Sequence, residues 1–93
     1  MPSISAKELA DERKNQHGDW IKQSQMAYNL KFTFNAHHRS GDYGPGLPAY
    51  QQEAIEMILT KISRIACGDP NHADHWDDIA GYAYLGKGGH DGT

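Results

Sequence analysis

Apolar positions in this chain recur every three or four residues, the spacing that gathers them on one face of a helix, and no alternating run is long enough to demand a strand. The pattern predicts four helices. Ser5-Ala-Lys-Glu8 has the capping-box spacing and opens a first helix from about Ser5 to Gln16. His17-Gly18-Asp19 interrupts it, Gly18 suiting a helix stop and Asp19 a cap for a second helix from Trp20 to about Ala36. On that helix Ile21, Tyr28 and Phe32 fall together, and Trp20, Ala27, Leu30 and Phe34 widen the apolar arc until it can touch two neighbours.

SGDYGPGLP, residues 40–48, holds three glycines and two prolines and reads as a loop or lid. A third helix starts near Pro48 and runs to Ala66, with Ile55, Ile58, Leu59, Ile62 and Ile65 at helical spacing. Gly68-Asp69-Pro70-Asn71 is a turn. A fourth helix from about Ala73 to Leu85 carries Trp76, Ile79, Ala80 and Ala83 on one face, which assigns Trp76 to the core. The fold class is therefore all-α, a compact bundle of about four helices in a single domain over residues 1–86, with 87–93 as a glycine-rich disordered tail.

Length changes this picture. A chain of 93 residues buries only about two thirds of the surface it exposes when unfolded, so self-association into a homo-oligomer is expected. Charge narrows the partners: 12 acidic against 9 basic residues, a formal charge of -3, argue against a duplex nucleic-acid binder. The longest apolar stretch is broken by Glu56, Lys61 and Arg64, which argues against a membrane span. A lone Cys67 and the absence of a signal-like start point to a cytoplasmic protein.

Candidate chemistry lies on the third and fourth helices. Glu53, Glu56, Met57, Thr60, Lys61 and Arg64 oppose the isoleucines, where a solvated face is the simplest reading. The fourth helix is less ordinary, because Asp74, Asp78, Gly81, Tyr82 and Leu85 share its second face. Glycine inside a helix costs about 1 kcal/mol against alanine, so Gly81 suggests a close-approaching backbone or ligand. Glu53, Glu56, Asp74 and Asp78 form an oxygen-rich set suited to Mg²⁺, with Lys61 and Arg64 placed to neutralise phosphates and Tyr82 to stack on a base. Cys67, His72 and His75 match no strong zinc template and lack a fourth ligand. Cys67 is most simply a small buried hydrophobe, and His37-His38 the polar end of the second helix.

The segment from Met57 through Lys61 and Arg64, followed by Asp74-His-Trp76-Asp-Asp78-Ile-Ala-Gly81-Tyr82-Ala83, resembles an uncharacterised family of small phage and prophage proteins, and His17-Gly18-Asp19 resembles that family's N-terminal motif. The resemblance covers roughly residues 15 to 86 and is most specific in its last 30 residues. More distantly it is similar to all-α nucleotide pyrophosphohydrolases of the MazG and dimeric dUTPase type, in which a Glu-x-x-Glu helix and a Glu-x-x-Asp helix hold Mg²⁺. Glu53-x-x-Glu56 matches the first helix. Asp74-x-x-Asp77 keeps the second spacing with aspartate in the first position, while alignment through Asp78 puts His75 there.

The resemblance implies a nucleotide-binding protein with an acidic Mg²⁺ face, with Glu53, Glu56 and Asp78 as catalytic residues if it is a nucleoside triphosphate pyrophosphohydrolase. The alternative is a non-catalytic counter-defence protein in the host cytoplasm. Such a protein would sequester a signalling nucleotide or inhibit a host immune complex of the kind targeted by anti-CRISPR proteins, with Tyr43 of the 40–48 loop in the contact.

Overall fold

The computed structural model describes residues 5–39 and 46–89, and side chains up to His37 and from Gly46. Among them are four helices and no strand: α1 (Ala6–His17), α2 (Trp20–Arg39), α3 (Ala49–Cys67) and α4 (Ala73–Gly86). The predicted caps form. Ser5 Oγ accepts from the Glu8 amide at 3.1 Å, and Gly18 closes α1 at φ 88°, a conformation that strains any residue with a side chain. Asp19 Oδ1 then accepts from the amides of Ile21 (2.9 Å) and Lys22 (3.3 Å), so the interruption is a full corner and not a kink. Pro48 precedes α3, where its missing N–H costs nothing, and the side chain of Asp69 caps the Asn71 amide in the turn before α4. Lys87, Gly88 and Gly89, expected in the tail, instead fold back with amides on the carbonyls of Ala83, Leu85 and Tyr84. The rest of the tail, residues 40–45 and the Tyr43 contact lie outside the described residues. No described helix is long and apolar enough to cross a membrane.

The hub is α3, which packs on α4, α2 and α1. Its neighbours lie on nearly opposite sides, and that overturns part of the helical-wheel reading. Toward α4 it turns Ala54 and Lys61, with Ala54 against Gly86 and Lys61 against Asp78. Toward α2 it turns Gln52 and Ser63. Gln23 Nε2 donates to the fully buried Ser63 hydroxyl at 2.8 Å, and Gln52 Nε2 donates to Asn35 Oδ1 at 2.8 Å. The stripe expected to face water is therefore covered in part by hydrogen-bonding side chains, while Ile62, expected in the core, is exposed.

Trp76 departs from expectation too. It is 55% exposed, its indole N–H donating to the Pro70 carbonyl at 2.8 Å, because α4 packs through His75 and its Gly86 end, a different side of the helix. The buried apolar residues among those described are Ala27 and Ala54, each contributing one methyl group, while Gln23, Lys61, Ser63 and His75 are buried polar ones.

Candidate functional site

The site grows from a crossing of two backbones. The corner after α1 lies directly on the end of α3, so that a Cβ on Gly18 would overlap the Cys67 carbonyl and one on Gly68 would overlap His17 and Gln16. The Gln16 carbonyl receives both the Asp69 amide at 3.2 Å and His75 Nε2 at 3.0 Å. A carbonyl only accepts, so Nε2 carries a proton and donates it.

His75 is buried, its ring centroid 5.1 Å from His17 and 4.8 Å from His72. The third partner of the histidines at this turn is thus His17, not Cys67. Among the described residues no group of three or more His, Cys, Asp or Glu is placed to hold a metal ion.

Burial, followed by the charges of Arg64, His75, Lys61 and His72, pushes the His17 imidazole from its ordinary 6.5 down to about 4. Between those values the unfolded chain binds a proton that the folded chain does not, so stability rises with pH. The contribution is complete above about 6.5 and is lost as pH falls toward 4. Urea unfolding is expected to give a stability about 1 kcal/mol lower at pH 5 than at pH 7, allowing for water around this partly exposed ring, and His17→Gln should flatten that slope. An unchanged slope in the variant would assign the effect elsewhere.

On the outer side of this corner, α1, the first turn of α2 and Arg64 of α3 enclose a pocket of about 430 Å³. Leu9 and Trp20 supply its apolar walls; Arg13, Lys14 and Arg64 supply cationic ones, which outnumber the carboxylate of Asp11, and His17 and Gln23 supply polar ones. The Arg64 guanidinium is held below its ordinary pKa, chiefly by burial and then by Arg13, against the opposing pull of Asp78 and Tyr82. Its Nε is buried without a hydrogen-bond partner in the protein. Trp20 is 70% exposed, so its indole is open to a ligand.

The carboxylates lie elsewhere and apart. Asp78 is 3.0 Å from Lys61, which holds it below the ordinary carboxylate range through a hydrogen bond and its charge. Lys61, expected on a phosphate-facing stripe, is buried and committed to this pair. Glu56 turns toward α2, accepting from Gln52 Nε2 at 3.0 Å, and Glu53 is exposed. Asp74 lies 3.5 Å from His72. With Lys61 level with Asp78 and a rise of about 1.5 Å per residue, Glu53 is about 12 Å along the axis from Asp78 and about 18 Å from Asp74. The set Glu53, Glu56, Asp74 and Asp78 is not gathered into one cage within the chain. Gly81, expected to admit a close neighbour, faces open space beside Asp77, Asp78, Tyr82 and Tyr84; the glycines tight against backbone are Gly18 and Gly68, and Gly89 lies tight against the Tyr84 ring.

A family model described as a domain of unknown function, DUF6378, matches residues 4–89, a span that takes in all four helices and the whole pocket. The chain belongs to the DUF6378 family. No curated protein and no solved structure matches it. In this DUF6378 chain the sequence reading located Arg64 but not Arg13, Lys14, His17 or Trp20 as its neighbours. One signal was present: Arg13, Lys14 and His17 sit within the last turns before Gly18, and a sharp corner there swings them onto whatever packs beneath it.

Proposed function

We propose that this DUF6378 chain is a nucleotide-binding protein whose ligand occupies the pocket between α1, the start of α2 and the end of α3. The observation that carries this reading is Arg64, whose buried Nε lacks a hydrogen-bond partner at the wall of a cationic pocket. A buried, unpaired donor is costly, and phosphate oxygens are the acceptors that a guanidinium fork and neighbouring cations fit best. Arg13 and Lys14 extend the phosphate contact, and the open indole of Trp20 offers a stacking surface for a base. A volume of about 430 Å³ suits a ligand of this size.

In this reading Mg²⁺ arrives with a nucleoside polyphosphate and is not resident in a four-carboxylate cage. The likeness to phage proteins and MazG-type enzymes bears on the ligand class. Binding without hydrolysis, as in sequestration of a signalling nucleotide, needs no gathered carboxylates and is preferred to a pyrophosphohydrolase.

Calorimetric titration of ATP and of inorganic pyrophosphate, each with and without Mg²⁺, is expected to show binding of both. Arg64→Gln should weaken both by roughly 10- to 100-fold, the worth of one charge-assisted bond. Trp20→Ala should weaken ATP by about tenfold and leave pyrophosphate unchanged, since only ATP has a base to stack. A wild-type chain that binds neither would sink the small-ligand reading and turn attention to a protein partner.

A further inference from the structure

A second surface runs along α2 and shares Trp20 alone with that pocket. Along α2, Ile21, Gln25, Tyr28 and Phe32 follow one another at steps of four, three and four residues, the spacing of a coiled-coil seam. In the folded chain this seam faces water: Ile21 is 77% exposed, Tyr28 65% and Phe32 64%. The rings of Tyr28 and Phe32 are already ordered against each other, their centroids 6.4 Å apart and their planes 21° from parallel. Tyr28, Lys31, Phe32 and Asn35, which stand at positions i, i+3, i+4 and i+7, frame a hollow of about 380 Å³ with Ala36. Four residues in that relation form the hole that receives a knob from a facing helix.

We propose that two copies of this chain pair antiparallel through α2, each laying Ile21 into the hollow framed by Tyr28, Lys31, Phe32 and Asn35 of the other. Three observations select a second copy as the occupant. The face carries both an unpartnered knob and an unpartnered hole on one stripe, so a two-fold axis near residues 26 and 27 satisfies both at once, the self-complementarity of an isologous interface. That axis also carries Lys31 to the side of the second copy's Trp20, a cation beside an exposed indole.

Area is the third. With about 150 to 250 Å² on each aromatic side chain, the exposed parts of Trp20, Ile21, Tyr28 and Phe32 amount to roughly 500 Å² per chain, most of the ~800 Å² per partner of a stable interface. Pairing would cover Ile21, Tyr28 and Phe32, three large apolar side chains that the single chain leaves exposed.

Sedimentation of the full chain at roughly 10 µM tests the pairing, and a melting temperature that rises with protein concentration accompanies it in a folded dimer. The expected mass is twice the 10.4 kDa of one chain. Phe32→Lys should move the mass to that of a monomer or a partly unfolded chain. Because that variant risks the fold itself, Gln25→Cys in a Cys67→Ser background is the second arm, and mild oxidation should link two copies covalently. A folded monomer with a concentration-independent melting temperature would overturn the proposal and leave the face to a different protein. So would a Phe32→Lys chain that stays dimeric, or a dimer that Gln25→Cys does not cross-link.

Discussion

Gly18→Ala is expected to lose about 4 kcal/mol of stability or more, enough to leave a domain of this size largely unfolded. Two costs combine. At φ 88° an alanine is strained by roughly 1 to 2 kcal/mol before it meets a neighbour. Its Cβ would then overlap the Cys67 carbonyl, and backbone cannot swing aside as the end of a side chain can. The corner would have to lift off α3, taking the Asp69 amide and the His75 ring away from the Gln16 carbonyl.

Gly81→Ala is the opposite case. Nothing lies within 4 Å of a Cβ there, so the substitution should stabilise α4 by about 0.5 to 1 kcal/mol through helix propensity alone. Urea midpoints followed by circular dichroism measure both. A Gly18→Ala chain within 1 kcal/mol of wild type would mean that the corner does not rest on α3 as described.

The second large effect falls on His75. Truncation to alanine removes a side chain that is only 1% exposed and packs against His17 and His72, and an expected loss of about 3 kcal/mol follows from the cavity. Part of the position's worth is hydrogen bonding, and His75→Phe separates the two. Phenylalanine fills the space but cannot donate to the Gln16 carbonyl, which keeps the Asp69 amide. That variant should therefore cost only about 1 kcal/mol, the net worth of one hydrogen bond. Equal losses in the two variants would show that the bond, and not packing, holds α4 to the corner.

Features carried by local chemistry were legible in the sequence. Ser5, Gly18, Asp19 and Pro48 act through their own backbones or through amides two or three residues away, and the helices begin and end within a few residues of the places they indicate. The faces were harder to read. A helical wheel assumes one buried side, whereas α3 is covered on two, so Lys61 and Ser63 are buried and Ile62 is not. Trp76 was assigned to the core by its apolar neighbours along α4, but the docking side of that helix is set by His75. The pocket escaped notice for a related reason. Its walls come from Arg13 and Arg64, some 50 residues apart, and only the Gly18 corner brings them together. Arg64 alone among its cations stood in a stretch that already looked chemical.

The most direct test of the account is a titration of the ¹⁵N-labelled chain with ATP, following the indole N–H resonances of Trp20 and Trp76. Trp20 lines the pocket, while the indole of Trp76 is engaged by the Pro70 carbonyl at the turn before α4. A saturable shift of the Trp20 resonance with Trp76 unmoved, and loss of that shift in Arg64→Gln, are expected. A shift confined to Trp76, or none in either indole at millimolar ATP, would contradict it.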